Sequence, residues 1–344
     1  MPVPADKRRN PRKRWASYDD DALLDLRFCE LRLSLQSTPL SDDVRELNDS
    51  LARRGILFKP HAWLSTEWFS PDGIPGIAIP FYLAHPRLRR LEQRLMGYAE
   101  GGNYSWRRML LRHEAGHALD TAFGLRRLAT WRSVFGKASK KYPRSYSARP
   151  ASRRFVCHLD HWYSQSHPTE DFAETFAVWM QPKAGWRQRY ADWPALEKLD
   201  YIDALMAAVA SRKPHKHDRS IVHSISENSR TLRSHYKRRS VVIEPTERRY
   251  DQWYQAAFDS SGRGAEKAAT TLLTNLHSDI RRRLSKQNID SYLVDQVLAS
   301  AIKRVRELRL RTRLNGRVAE RTATELVSSI ATDLLRRNRE RFIL

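Results

Sequence analysis

His113-Glu114-Ala115-Gly116-His117 carries the strongest chemical signal in the chain. On an α-helix, residues four apart lie one turn apart on one face, so both imidazoles can address a single metal ion. Glu114 then flanks the ion, where a carboxylate can take a proton from bound water as a general base. The helix has support of its own: Leu111, Ala115, Ala118 and Ala122 form an apolar face away from the histidines. Asp120 continues the histidine face and is read as orienting either a ligand histidine or a neighbouring loop. Two helix histidines hydrogen-bonded on a polar surface would show the same spacing, so the motif does not decide alone.

A catalytic zinc takes three protein ligands and leaves a fourth position open. The segment from Ser166 to Phe176 offers the third, as Glu170. Pro168 suits a first helical position, and the acids at 170 and 171 suit the positive end of a helix dipole. Glu170 and Glu174 share one face, and Phe172, Phe176 and Trp179 share another that can pack. Two carboxylates on an otherwise apolar helix are costly unless a cation meets them. Glu170 as ligand and Glu174 as acceptor for a ligand imidazole N–H would account for both. A solvated acidic face is the plainer reading, and His158, His161 and His167 compete with Glu170 as third ligand.

Taken together, HEAGHxxD followed by Y-x6-E-D-F-A-E resembles the gluzincin group of zinc metallopeptidases, specifically the bacterial zinc-binding metallopeptidases and the anthrax-lethal-factor-like peptidases. The bacterial proteins also carry an HP-x-ED-aromatic-AE stretch, matched here from His167 to Glu174. The resemblance covers roughly residues 15–210. It implies a zincin-like domain, one Zn2+ per chain, Glu170 as third ligand and Tyr163 as the oxyanion donor. A phenol beside an open zinc position is chemically apt for that role, although Trp162-Tyr163 would serve equally as a packing pair. The stretch from Gly124 to Leu159 is long and basic, so substrate preference does not carry over.

These residues need a frame to hold them. Helical texture is expected after Tyr18-Asp19-Asp20-Asp21, after Ser41-Asp42-Asp43 up to Gly55, from Pro86 to Glu100, from Ser105 to Phe123, from Pro168 to Met180 and from Pro194 to Ala210. Between Ile56 and Leu83, Pro and Gly separate short apolar runs, and Gly76 to Phe81 reads as a strand. Pro80 places it at a sheet edge, where extended substrate could pair. Residues 136–152 read as loop. Three further helices are expected at Ala265–Leu284, Ile289–Leu314 and Arg317–Arg341, with a break at Asn315-Gly316. The fold class that follows is α+β and predominantly helical, a zincin-like metallopeptidase domain with a small sheet plus a C-terminal helical region. Its expected divisions are a basic tail at 1–15, the metallopeptidase domain at 16–210, a basic linker or connection at 211–250 and a basic helical region at 251–344.

The 344-residue chain has a net charge of +23, and residues 211–344 hold 29 Lys+Arg against 15 Asp+Glu. That excess suggests an acidic partner or nucleic acid for the C-terminal region, beside a peptide or protein substrate. An alternative function is a basic helical adaptor for nucleic acid or protein, its zinc site inactive or structural. Cys29 and Cys157 stand alone, which excludes a disulfide framework and a CxxC zinc site. The basic N-terminus lacks the apolar stretch of a signal peptide, and no apolar run is long enough to span a bilayer. A cytoplasmic protein without membrane insertion is expected.

Overall fold

The structure, a computed structural model, describes residues 13–96, 99–143, 145–149, 152–182, 185–240, 249–258, 267–287, 289, 291–337 and 340–343. Most of the expected basic tail lies outside them. The described elements are mostly α-helices with one parallel two-stranded sheet and two short antiparallel pairs, an α+β, predominantly helical fold. The chain divides into two compact units.

The first unit combines Met1–Leu125 with Met206–Ile243. The expected first helix is a short one, Asp20–Asp25, followed by a 3-10 turn at Phe28–Leu31. The Asp19 carboxylate caps it by accepting the Ala22 N–H at 2.8 Å. The next helix, Leu40–Ala52, is followed by Gly55 at φ +76°, a left-handed position that suits glycine. Strands His61–Ser65 and Gly76–Pro80 pair in parallel, with Trp63 opposite Ala78. Pro80 ends its strand, where a missing N–H costs least.

Neither strand offers an uninterrupted free edge for a peptide. Phe69 bridges to Ala78, and the Ile225 N–H reaches the Leu64 carbonyl at 3.2 Å. The stretch expected as a basic connection supplies that second contact. It also gives Trp63 Nε1 a carbonyl at Val222 and Ser65 Oγ one at His223, then forms the helix Leu232–Ser240. Gly76–Pro80 packs on the helix Tyr104–Phe123, which carries the HEAGH motif. The Asn103 side chain caps that helix by accepting the Trp106 N–H at 2.9 Å, and Gly124 closes it at φ +63°.

The second unit combines Arg126–Leu205 with Glu244–Leu344. Its centre is an apolar cluster in which helices Ala269–Ser285, Ser291–Glu307 and Gly316–Arg337 contribute Leu273, Ile280, Val297, Ala301, Val327 and Ile330. Tyr146, Ala148 and Trp162 belong to the same cluster. The region expected as loop contains a strand, Ser145–Ala148, paired antiparallel with Glu340–Ile343. Gly316 takes φ +53° at the expected break. The helix Pro168–Trp179 also lies in this unit. Phe172 meets Trp131 and Phe135 at ring-centroid distances of 5.7 and 5.5 Å, anchoring the helix on Ala129–Phe135.

Candidate metal centre

The Tyr104–Phe123 helix is buried on nearly every side rather than along one apolar stripe: Leu110 to Gly116, Ala118 to Asp120, Ala122 and Phe123 all have little exposure. Small residues at Ala115, Gly116, Ala118 and Ala122 permit this close packing. Burial on all faces takes His113, Glu114 and Asp120 out of water, while His117 keeps some exposure. One turn apart, the two imidazoles bring their Nε2 atoms to 3.2 Å, with rings at 74°.

Pro168–Trp179 is buried throughout from Thr169 to Trp179. This overturns the solvated-face reading of its acids, since Glu170 is 4% exposed and Glu174 is 1% exposed. Each buried carboxylate has a named partner. Glu170 Oε1 accepts the Tyr142 hydroxyl at 2.6 Å, and Glu174 Oε2 accepts the Leu159 N–H at 2.8 Å. Asp171 Oδ2 accepts from Lys198 Nζ at 2.6 Å. Burial pushes the Asp171 carboxyl up to about 7, against the pull of Lys198. Burial and the charge of Glu170 hold the Tyr142 hydroxyl proton firmly. Burial with the charges of Glu174 and Glu170 does the same for Tyr146.

His113, His117 and Glu170 each offer a ligand atom, and these atoms lie within 4.8 Å of one another. The donor set suits zinc. At Zn–N distances of about 2.0–2.1 Å, a tetrahedral angle separates two ligand nitrogens by about 3.3 Å, close to the 3.2 Å found here. Among the described residues no other group of three or more such side chains converges in this way.

Two of the three competing histidines have other duties. His167 caps the glutamate helix: its Nδ1 accepts the Thr169 N–H at 3.3 Å, and its Nε2 donates to the Lys140 carbonyl at 2.9 Å. His158 Nδ1 meets Gln181 Nε2 at 3.2 Å. The His161 side chain lies outside the described residues. Tyr163, on the 3-10 turn Asp160–Gln165, packs against the apolar cluster with its ring edge-on to Tyr146 at 6.4 Å. Tyr142, Tyr146 and Lys198 escaped the sequence reading. No motif marks them, and their roles come from where the chain folds back.

Residues 104–192, about a quarter of the chain, match the family model described as "Putative zinc-binding metallo-peptidase". That segment resembles a zinc peptidase. It begins with the histidine helix and runs past the glutamate helix, so it contains all three members of the converging group. No curated protein matches the chain, and no solved structure does. The family likeness and the converging group together suggest a zinc peptidase, a class whose substrates are proteins or peptides. No helix among the described residues is long and apolar enough to cross a membrane.

Proposed function

We propose that the chain is a zinc-dependent metalloendopeptidase of the HExxH, gluzincin type, binding one Zn2+ through His113, His117 and Glu170. The observation that carries this reading is the convergence of those three side chains within 4.8 Å. A zinc ion held there would polarise the scissile carbonyl and lower the pKa of a bound water to about 7. Glu114, buried beside His113, accepts the water proton and returns it to the leaving amine. Tyr163 donates a hydrogen bond to the oxygen on which negative charge develops. Asp120 and Glu174, both buried, hold the surrounding groups in orientation.

Glu114→Gln tests the assignment of the base. The variant should keep its zinc and its thermal stability yet lose hydrolysis of a fluorogenic peptide library, because an amide cannot take the proton. Undiminished hydrolysis by the variant would remove Glu114 from that role.

A further inference from the structure

We propose that Tyr142 is a positioning residue that fixes the carboxylate of Glu170 for metal binding, an inference that rests on the zinc reading above. Its phenol O–H donates to Glu170 Oε1 at 2.6 Å, and its oxygen also meets Thr169 Oγ1. The residue as a whole is 49% exposed, so this hydroxyl is not confined merely by lying in the core. What holds it is a stack on the buried ring of His167, with centroids 3.9 Å apart and planes 18° from parallel.

The orientation of His167 is itself determined. A backbone N–H can only donate, so the Thr169 N–H makes Nδ1 an acceptor. The ring proton therefore sits on Nε2, which donates to the Lys140 carbonyl. Lys140 lies two residues before Tyr142, so one imidazole ties the tyrosine's segment to the first turn of the glutamate helix. Thr169 Oγ1, 2.7 Å from His167 Nδ1, completes the cluster.

A carboxylate that accepts a fixed hydrogen bond has fewer orientations to lose when it ligates a metal. Outer partners of this kind typically change metal affinity by about 10–100-fold when removed. The ring of a phenylalanine can keep the stack on His167, so Tyr142→Phe removes the hydroxyl alone.

The test is competition for Zn2+ between the full-length protein and a fluorescent chelator, with thermal unfolding of the metal-free protein measured alongside. Tyr142→Phe should weaken zinc binding by about 10–100-fold while the metal-free midpoint stays unchanged. Tyr142→Leu, which also removes the stack, should lose a similar amount. Equal zinc affinity in wild type and Tyr142→Phe would overturn the proposal and leave the zinc reading standing. A loss confined to Tyr142→Leu would assign the residue to packing and equally overturn it. Unchanged affinity with a raised KM would place Tyr142 on the substrate instead, again against the proposal. A wild-type protein that takes up no zinc would defeat the underlying reading, and this one with it.

Discussion

Two buried carboxylates one helical turn apart, Glu170 and Glu174, would destabilise the fold if nothing met them. Among their contacts, Glu170 accepts a phenol O–H and lies within 4.8 Å of the two imidazoles, whereas Glu174 accepts a backbone N–H. Glu170→Ala should therefore cost the protein its zinc, whereas His167→Ala should retain it, because both His167 nitrogens are used in capping and bracing. Metal analysis of the two variants checks this, and the opposite pattern would give the third ligand to His167. Tyr163→Phe should cut turnover by about 10²–10³, the usual scale for one oxyanion donor, with zinc content unchanged. Unaltered turnover would leave Tyr163 as the packing partner of Tyr146. The converging pair His113 and His117 was legible in the sequence because a helix converts i, i+4 spacing into shared direction. Tyr142 was not, since no local rule links it to a carboxylate 28 positions further along the chain.

At the scale of elements, the helix Leu232–Ser240 carries an unusual buried group. His235 is 4% exposed and packs against both Phe28 and Phe81, with ring centroids at 5.2 and 5.8 Å. Burial, reinforced by Arg239 and Arg230, pushes its imidazole from 6.5 down to about 3. The folded state thus keeps His235 neutral while an unfolded chain would protonate it. Its share of stability is full above pH 6.5, shrinks as pH falls below that value and is gone by about pH 3. At about 1.4 kcal/mol per unit, the share amounts to a few kcal/mol. His235→Leu should flatten the loss of stability across that window in denaturant titrations. An unchanged acid limb would show that other groups govern it.

The long helices here were legible because their apolar residues recur at helical spacing. Ser145–Ala148 was not. Four residues inside a basic, Ser-rich stretch give no alternation to read, and their partner strand, Glu340–Ile343, lies at the far end of the chain. The linker-like texture of 222–232 reflects backbone that bonds outward to residues 26–65 in place of a regular ladder of its own.

For the molecule as a whole, the C-terminal helices bear on how far the chain can be shortened. Tyr146, Ala148 and Trp162 share one apolar cluster with Leu293, Val297 and Ile330. A chain ending at Ala210 would lose the other side of that cluster and the strand that pairs with Ser145–Ala148. It should bind an apolar dye, aggregate and hold zinc poorly. A truncated protein that stays soluble, binds zinc and cleaves peptide would show the helices to be an accessory.

Some of the basic side chains in this region pair within the molecule. Arg304 pairs with Asp251 and Glu307, Arg283 with Glu320, and Arg321 with Glu325.

Every catalytic role proposed above depends on a zinc ion shared by His113, His117 and Glu170. X-ray absorption at the zinc edge, on the purified full-length protein and on the His113→Ala/His117→Ala double variant, addresses it most directly. Wild type should hold about one zinc per chain, with two nitrogen ligands near 2.0–2.1 Å and the remaining ligands oxygen. The double variant should hold none. Zinc that persists in the double variant, or a wild-type site closed by sulfur or a third imidazole, would contradict it.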